Sequence, residues 1–175
     1  MIAMGLAALL ALQVTDQAAP AADPPQTIDD GIALLAMTFD NQLALKDCKV
    51  EHSGSATAED VQDYCTVFGR AQALRALFPA DAARIRRATL RVALFRDDAA
   101  PLPLPGDVAK VLSHARYQVA PDGQLGACEA LAVAEVEGRR LDLCTQVNVA
   151  ETRVAPGRRS ATFSLLVEIA ASFGP

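Results

Sequence analysis

Aromatic side chains make up only 5% of the 175-residue sequence, and tryptophan is missing. A folding unit of about 70 residues with so few large rings has a marginal core and needs a staple besides apolar burial. Histidine occurs twice, as His52 and His114, and there is no Cys-x-x-Cys pair. Neither histidine stands at ligand spacing from a cysteine, which argues against zinc. No Walker loop and no dinucleotide fingerprint occurs. Basic residues are outnumbered, 16 Lys and Arg against 21 Asp and Glu for a net charge of −5, and the arginines are scattered through acidic, alanine-rich surroundings. Without a basic stripe to neutralise phosphates, no nucleic-acid partner is expected. The apolar run from Ile2 to Leu12 is shorter than the roughly 20 residues that cross a bilayer, so no stable membrane span is expected either.

What is present is a foldable chain, 51% hydrophobic and rich in alanine. Its first residues, "MIAMGLAALLALQVTDQAAPAADPP", turn from apolar to small and polar as a secretory leader does, with Ala19 and Ala21 as the small residues of a cleavage site. The reading is a signal peptide over 1–22 and a short linker over 23–30. An uncut leader that tethers the chain to the inner membrane is the alternative. Four cysteines, an even number at near-equal spacings, suit disulfides in an oxidising compartment. Three connectivities are possible; zinc ligation and four unpaired buried thiols are the competing uses.

The remainder reads as one small unit written twice. "GIALLAMTFD" is an apolar strand ending in Asp40-Asn41, a pair that tolerates positive φ and favours a hairpin. In the returning "QLALKDCKVE", Leu43 and Leu45 share one parity while Cys48 and Val50 share the other, which demands a bulge near Lys46-Asp47. "SGSATAEDVQDYCTVFGRAQALRALF" follows as a helix opened by Ser55 and Thr57, with Val61, Cys65 and Phe68 along one face. Pro79 ends it, and "RRATLRVALF" is a strand presenting Leu90, Val92 and Leu94 to one side. After "DDAAPLPLPG", an extended stiff connection, the pattern recurs. "LSHARYQVAPDG" and "QLGACEALA" form a hairpin around Asp122-Gly123, "VEGRRLDLCTQV" is the helix with Leu141 and Cys144, and "RRSATFSLLVEI" is the last strand. "DNQL" matches "DGQL", hairpin cysteine matches hairpin cysteine, helix cysteine matches helix cysteine, and "RRATL" matches "RRSATF", all in the same order. The repeat favours Cys48 with Cys65 and Cys128 with Cys144. The expected fold class is therefore α+β, two tandem β-β-α-β units over 31–97 and 107–175 joined by a Pro-rich linker over 98–106. Each unit is expected to pack a small antiparallel sheet on one helix.

The second copy, with "VAPDGQLGACEA", a helix bearing a late cysteine and a "PGRRSATFSLLVEI" closing strand, resembles the carboxy-terminal domain of TonB-family energy transducers. The first copy is similar, including its "CKVEHSGSA" stretch. The resemblance implies a periplasmic protein whose partner is a cell-envelope protein such as an outer-membrane receptor. It also implies that the last strand accepts an extended segment at an open edge. Carried onto this sequence, the acceptor is Ala161, Thr162, Phe163, Ser164, Leu165, Leu166, Val167, Glu168 and Ile169. No long Pro-rich spacer and no Tyr-Pro pair precedes the second hairpin, so a binding or scaffolding relative is expected rather than a transmitter of force.

Two other classes of function compete with this one. A structural or self-associating protein would have the two copies pair their edges and leave none open. A small-molecule binder or enzyme would need convergent polar groups. "HSGS" is the nearest approach, but His52 and Ser53 point to opposite faces of a strand and no acid orients the histidine. Ser55 reads as a cap or turn residue. No catalytic residue, no metal ligand and no cofactor is assigned.

Overall fold

The computed structural model describes residues 26–56, 58–155 and 161–174. The leader, Thr57 and part of the "PGRRSA" stretch lie outside them. Thirteen helices and strands follow in chain order: β1 (Gln26–Ile28), β2 (Gly31–Phe39), β3 (Leu45–Gly54), α1 (Ala58–Phe68), α2 (Ala71–Leu77), β4 (Ile85–Arg96), β5 (Val108–Val119), β6 (Leu125–Val133), β7 (Glu135–Val136), β8 (Arg139–Arg140), α3 (Leu143–Gln146), β9 (Thr152–Val154) and β10 (Thr162–Phe173). The α+β class holds. Instead of two small sheets, however, one antiparallel six-stranded sheet runs in the order β3-β2-β4-β10-β5-β6. The return strands of the two halves, β4 and β10, lie side by side at its centre from Arg96 opposite Phe163 to Ile85 opposite Phe173.

The pairing of β4 with β10 follows from their side chains. Leu90, Val92 and Leu94 on β4, with Phe163, Leu165, Val167 and Ile169 on β10, face the helices and join Leu35, Met37, Phe68 and Tyr117 in one core drawn from both halves. On the other face Ala93, Phe95 and Leu166 form a smaller buried group with Ile32 packed against it. A strand covered on both faces must be apolar at nearly every position, and such a strand belongs in the middle of a sheet.

The Pro-rich stretch acquires a specific task in this topology. β4 and β5 both run antiparallel to β10 and flank it, so the chain leaving Arg96 beside Phe163 must travel the length of β10 to reach Val108 beside Ala171. Prolines keep such a strap extended, at about 3.1 Å per residue. Leu104 is buried beneath it, and a Cβ on Gly106 would sit 2.7 Å from that of Ala170, so the strap lies tight against the sheet.

Local readings fare unevenly. The expected bulge is present: Phe39 pairs with Leu45 and Thr38 with Asp47, leaving Lys46 as the extra residue. The residue with positive φ in that turn is Leu43, at 64°, rather than Asp40 or Asn41. The single long first helix is two helices, broken at Gly69-Arg70, where a Cβ on Gly69 would collide with the Cys65 carbonyl. Ser55 lies in a turn before α1, and its Oγ accepts the Asp29 N–H at 2.6 Å. In the second half most of the expected helix is a hairpin. Glu137 and Gly138 both have positive φ, the signature of a tight two-residue turn, so Val136 and Arg139 pair and α3 is left with four residues. The expected linker at 23–30 contains β1, which pairs in parallel with β9 of the other half.

Candidate functional site

All four cysteines are where the repeat puts them. Cys48 is bonded to Cys65 and Cys128 to Cys144, with no free thiol. Two such bridges are at home in an oxidising compartment. Among the described residues no helix is long and apolar enough to cross a membrane.

The expected acceptor strand is not an edge. Phe163 pairs with Arg96 on one side and Tyr117 on the other, and double pairing continues through Leu165, Leu166, Val167, Glu168 and Ile169. Thr162 pairs with Gln118, and the Ala161 carbonyl accepts the Val119 N–H at 2.8 Å. With its ladder positions paired on both sides, the stretch from Phe163 to Ile169 has no backbone left for another chain, while Thr162 and Ala161 are paired on the β5 side. The resemblance misleads here because it treats the second unit alone, whereas β4 of the first occupies that edge.

The outer strands are β3 and β6. Strand β3 carries the exposed charges Lys46, Asp47, Lys49 and Glu51 and has its bulge at Lys46. Charges and bulges of this kind protect a natural edge against unwanted pairing. Strand β6 reads "LGACEALAV", with Glu129 its one charge. From Gly126 to Val133, about 26 Å of extended chain, no other strand pairs with its outer side among the described residues. The stretch is closed at both ends. Gln124 is bridged by Arg153 of β9, and at Ala134 the chain leaves the sheet with its carbonyl accepting the Leu141 N–H at 3.0 Å. Among the described residues, five large apolar side chains are exposed; Leu131 lies on this strand, and Val108 and Val111 lie on the part of β5 that β6 does not cover.

The second hairpin's turn fixes the start of β6. Asp122 accepts the Gln124 N–H at 3.1 Å, and that hydrogen bond, with Arg153 nearby, holds its carboxyl below the usual carboxylate range. Asp40 does the same in the first half, accepting from Gln42 and Ala44, and is likewise lowered, chiefly by the Ala44 N–H. In each case the leucine that follows, Leu125 or Leu43, is buried. Gly123, at φ 85°, lets the turn approach β9 so closely that a Cβ would collide with the Val154 carbonyl. Opposite Cys128 stands Tyr117, whose buried hydroxyl donates to the Leu143 carbonyl at 2.8 Å; burial, then the Asp142 charge, raises its pKa to about 12.

The other face offers a shallow cavity of about 210 Å³, lined by Asp30, Ile32, Ser53, Ala93, Phe95 and Pro101. Arg96, almost wholly buried, reaches Asp29 at 3.4 Å and the Ala155 carbonyl at 3.2 Å. That arrangement ties the end of β1 to the sheet. Among the described residues no cluster of His, Cys, Asp or Glu is suited to a metal ion.

No family model matches the chain, and no curated protein or solved structure matches it.

Proposed function

We propose that the chain is a protein-interaction module of the TonB carboxy-terminal kind, exported to the periplasm, which binds an extended segment of a cell-envelope protein by adding it to the outer side of β6. The observation that carries this reading is the outer side of Gly126–Val133, which carries a single charge, although its register with β5 shifts at Gly126-Ala127 and at Leu131, on a sheet whose other edge carries four exposed charges. Main-chain hydrogen bonds along such an edge supply affinity, and alternate side-chain positions supply selectivity. Support for a duplicated origin comes from the paired Asp40 and Asp122 turns, the two strand-to-helix bridges, and the matching order of strand, strand, helix and strand. A purely structural role is the second reading, favoured by the way the halves pair β4 with β10.

The test is capture. A photoreactive side chain at exposed Ala127 should crosslink envelope proteins through extended segments, and one at exposed Lys49 should not. Adding lysines at Ala127 and Ala130 should lower capture about ten-fold by burying charge against the incoming strand. Equal labelling from Ala127 and Lys49, or no effect of the lysines, removes the β6 reading.

A further inference from the structure

The two bridges, alike in sequence, differ in what they hold. Cys48–Cys65 joins β3 to α1, an 11-residue helix continued by α2, and this pair sinks Val61, Phe68, Leu74 and Leu77 into the core. Cys128–Cys144 joins β6 to α3, which has 4 residues. A single helical turn does not persist by itself. Apart from the bridge, α3 and its flanks are held by the Asp142 carboxylate accepting the Cys144 N–H at 3.1 Å, by the Tyr117 hydroxyl on the Leu143 carbonyl, by the Gln124 side-chain amide donating to the Val149 carbonyl, by the burial of Leu143, and by partly buried Leu141, Val147 and Val149. Its flanks are the two-residue strand β8 and the irregular chain leading to β9. Cys128 lies within the open stretch of the edge; all four cysteines are half-buried.

We propose that Cys128–Cys144 is a redox latch, whose reduction detaches α3 and its neighbours from β6 while the first half and the centre of the sheet stay folded. A dithiol reductant supplies the two electrons. One of its thiolates attacks a bridge sulfur to form a mixed disulfide, its second thiol resolves that bond, and the products are two cysteine thiols and the oxidised, cyclic reductant. The sheet survives because β4 and β10 are joined by a long ladder to which this bridge contributes nothing. Detachment strips the helix-side wall from beside Gly126–Val133, so capture at the edge weakens. That consequence rests on the β6 reading; the latch does not.

Hydrogen exchange on the C48A/C65A protein, which keeps only the second bridge, separates the two. On adding dithiothreitol, amides over 139–147 should exchange about ten-fold faster or more, while those of β4 and β10 keep their protection. In the C128A/C144A protein, reduction of the remaining bridge should leave α1 and α2 protected. Unchanged exchange over 139–147, loss of protection across β4 and β10, or equal opening of α1 overturns the latch. If C48A/C65A does not fold, limiting dithiothreitol on the wild-type protein with thiol alkylation gives the same decision: Cys128 and Cys144 labelled together with opening of 139–147 supports the latch, and Cys48 and Cys65 labelled first overturns it. Opening over 139–147 without any capture at Ala127 in the oxidised protein leaves the latch standing and removes the β6 reading alone.

Discussion

Arg91 and Glu168 stand opposite each other across the β4–β10 ladder, and the guanidinium donates through Nε and Nη2 to one carboxylate oxygen. The pair spans the joint between the two halves, with side-chain exposures of 8% and 10%. Removing one partner strands a buried charge. Arg91→Met or Glu168→Gln should therefore cost about 3–5 kcal/mol in urea unfolding at neutral pH. Replacing both with leucine should return stability to within about 1–2 kcal/mol of the wild type, because apolar packing then substitutes for the pair.

Gly123 combines a left-handed backbone with contact against the Val154 carbonyl. Gly123→Ala should lower stability by about 2 kcal/mol, adding the cost of positive φ to the displacement of β9. Gly138 also has positive φ, but a Cβ there would have open space for 4 Å around it. Gly138→Ala should cost only about 1 kcal/mol. Thermal unfolding of the two variants checks the difference.

Tyr117 contributes to the alkaline limit. Its folded pKa is about 12 against an ordinary value of 10.0, so the neutral phenol is favoured in the folded protein. The stability this represents is whole below pH 10 and is lost as pH rises from 10 to 12. Tyr117→Phe should flatten that decline relative to the wild type. It should also cost about 1–2 kcal/mol at pH 7, because the buried Leu143 carbonyl loses its donor.

At the acid end the sign reverses. Asp40 and Asp122 have folded pKa values below the ordinary carboxylate value, so their contribution is present above about pH 4 and disappears as pH falls further. Asp40→Asn with Asp122→Asn should show a shallower loss of stability below about pH 4 in urea titrations.

Much of this is legible in the residues. The parity slip between Leu45 and Cys48 announces the bulge at Lys46, since side chains on a strand alternate strictly. The repeat announces both bridges. The central position of β10 has its own signal: Leu166 and Ala170 on its second face, with Glu168 the one charge between them, mark a strand buried on both sides. An open edge on β10 is compatible only with the second half standing alone. Glu168 has the look of a solvent-facing charge because its partner, Arg91, is distant in sequence. The hairpin at Glu137-Gly138 is hidden inside an apparently helical stretch, although a Gly following a residue that can turn left is itself a turn signal. No local pattern contains the joining of the two halves of the chain through β4 and β10, which depends on contacts such as that of Arg91 with Glu168, 77 positions away, and none contains the crossing of β1 to β9.

Exchange of the β6 amides, followed in the oxidised protein alone and with a partner captured through Ala127, tests the central claim most directly. Partner binding should slow exchange selectively between Gly126 and Val133, leaving β3 as it was. Protection that appears on β3 instead, or nowhere along Gly126–Val133, contradicts the account.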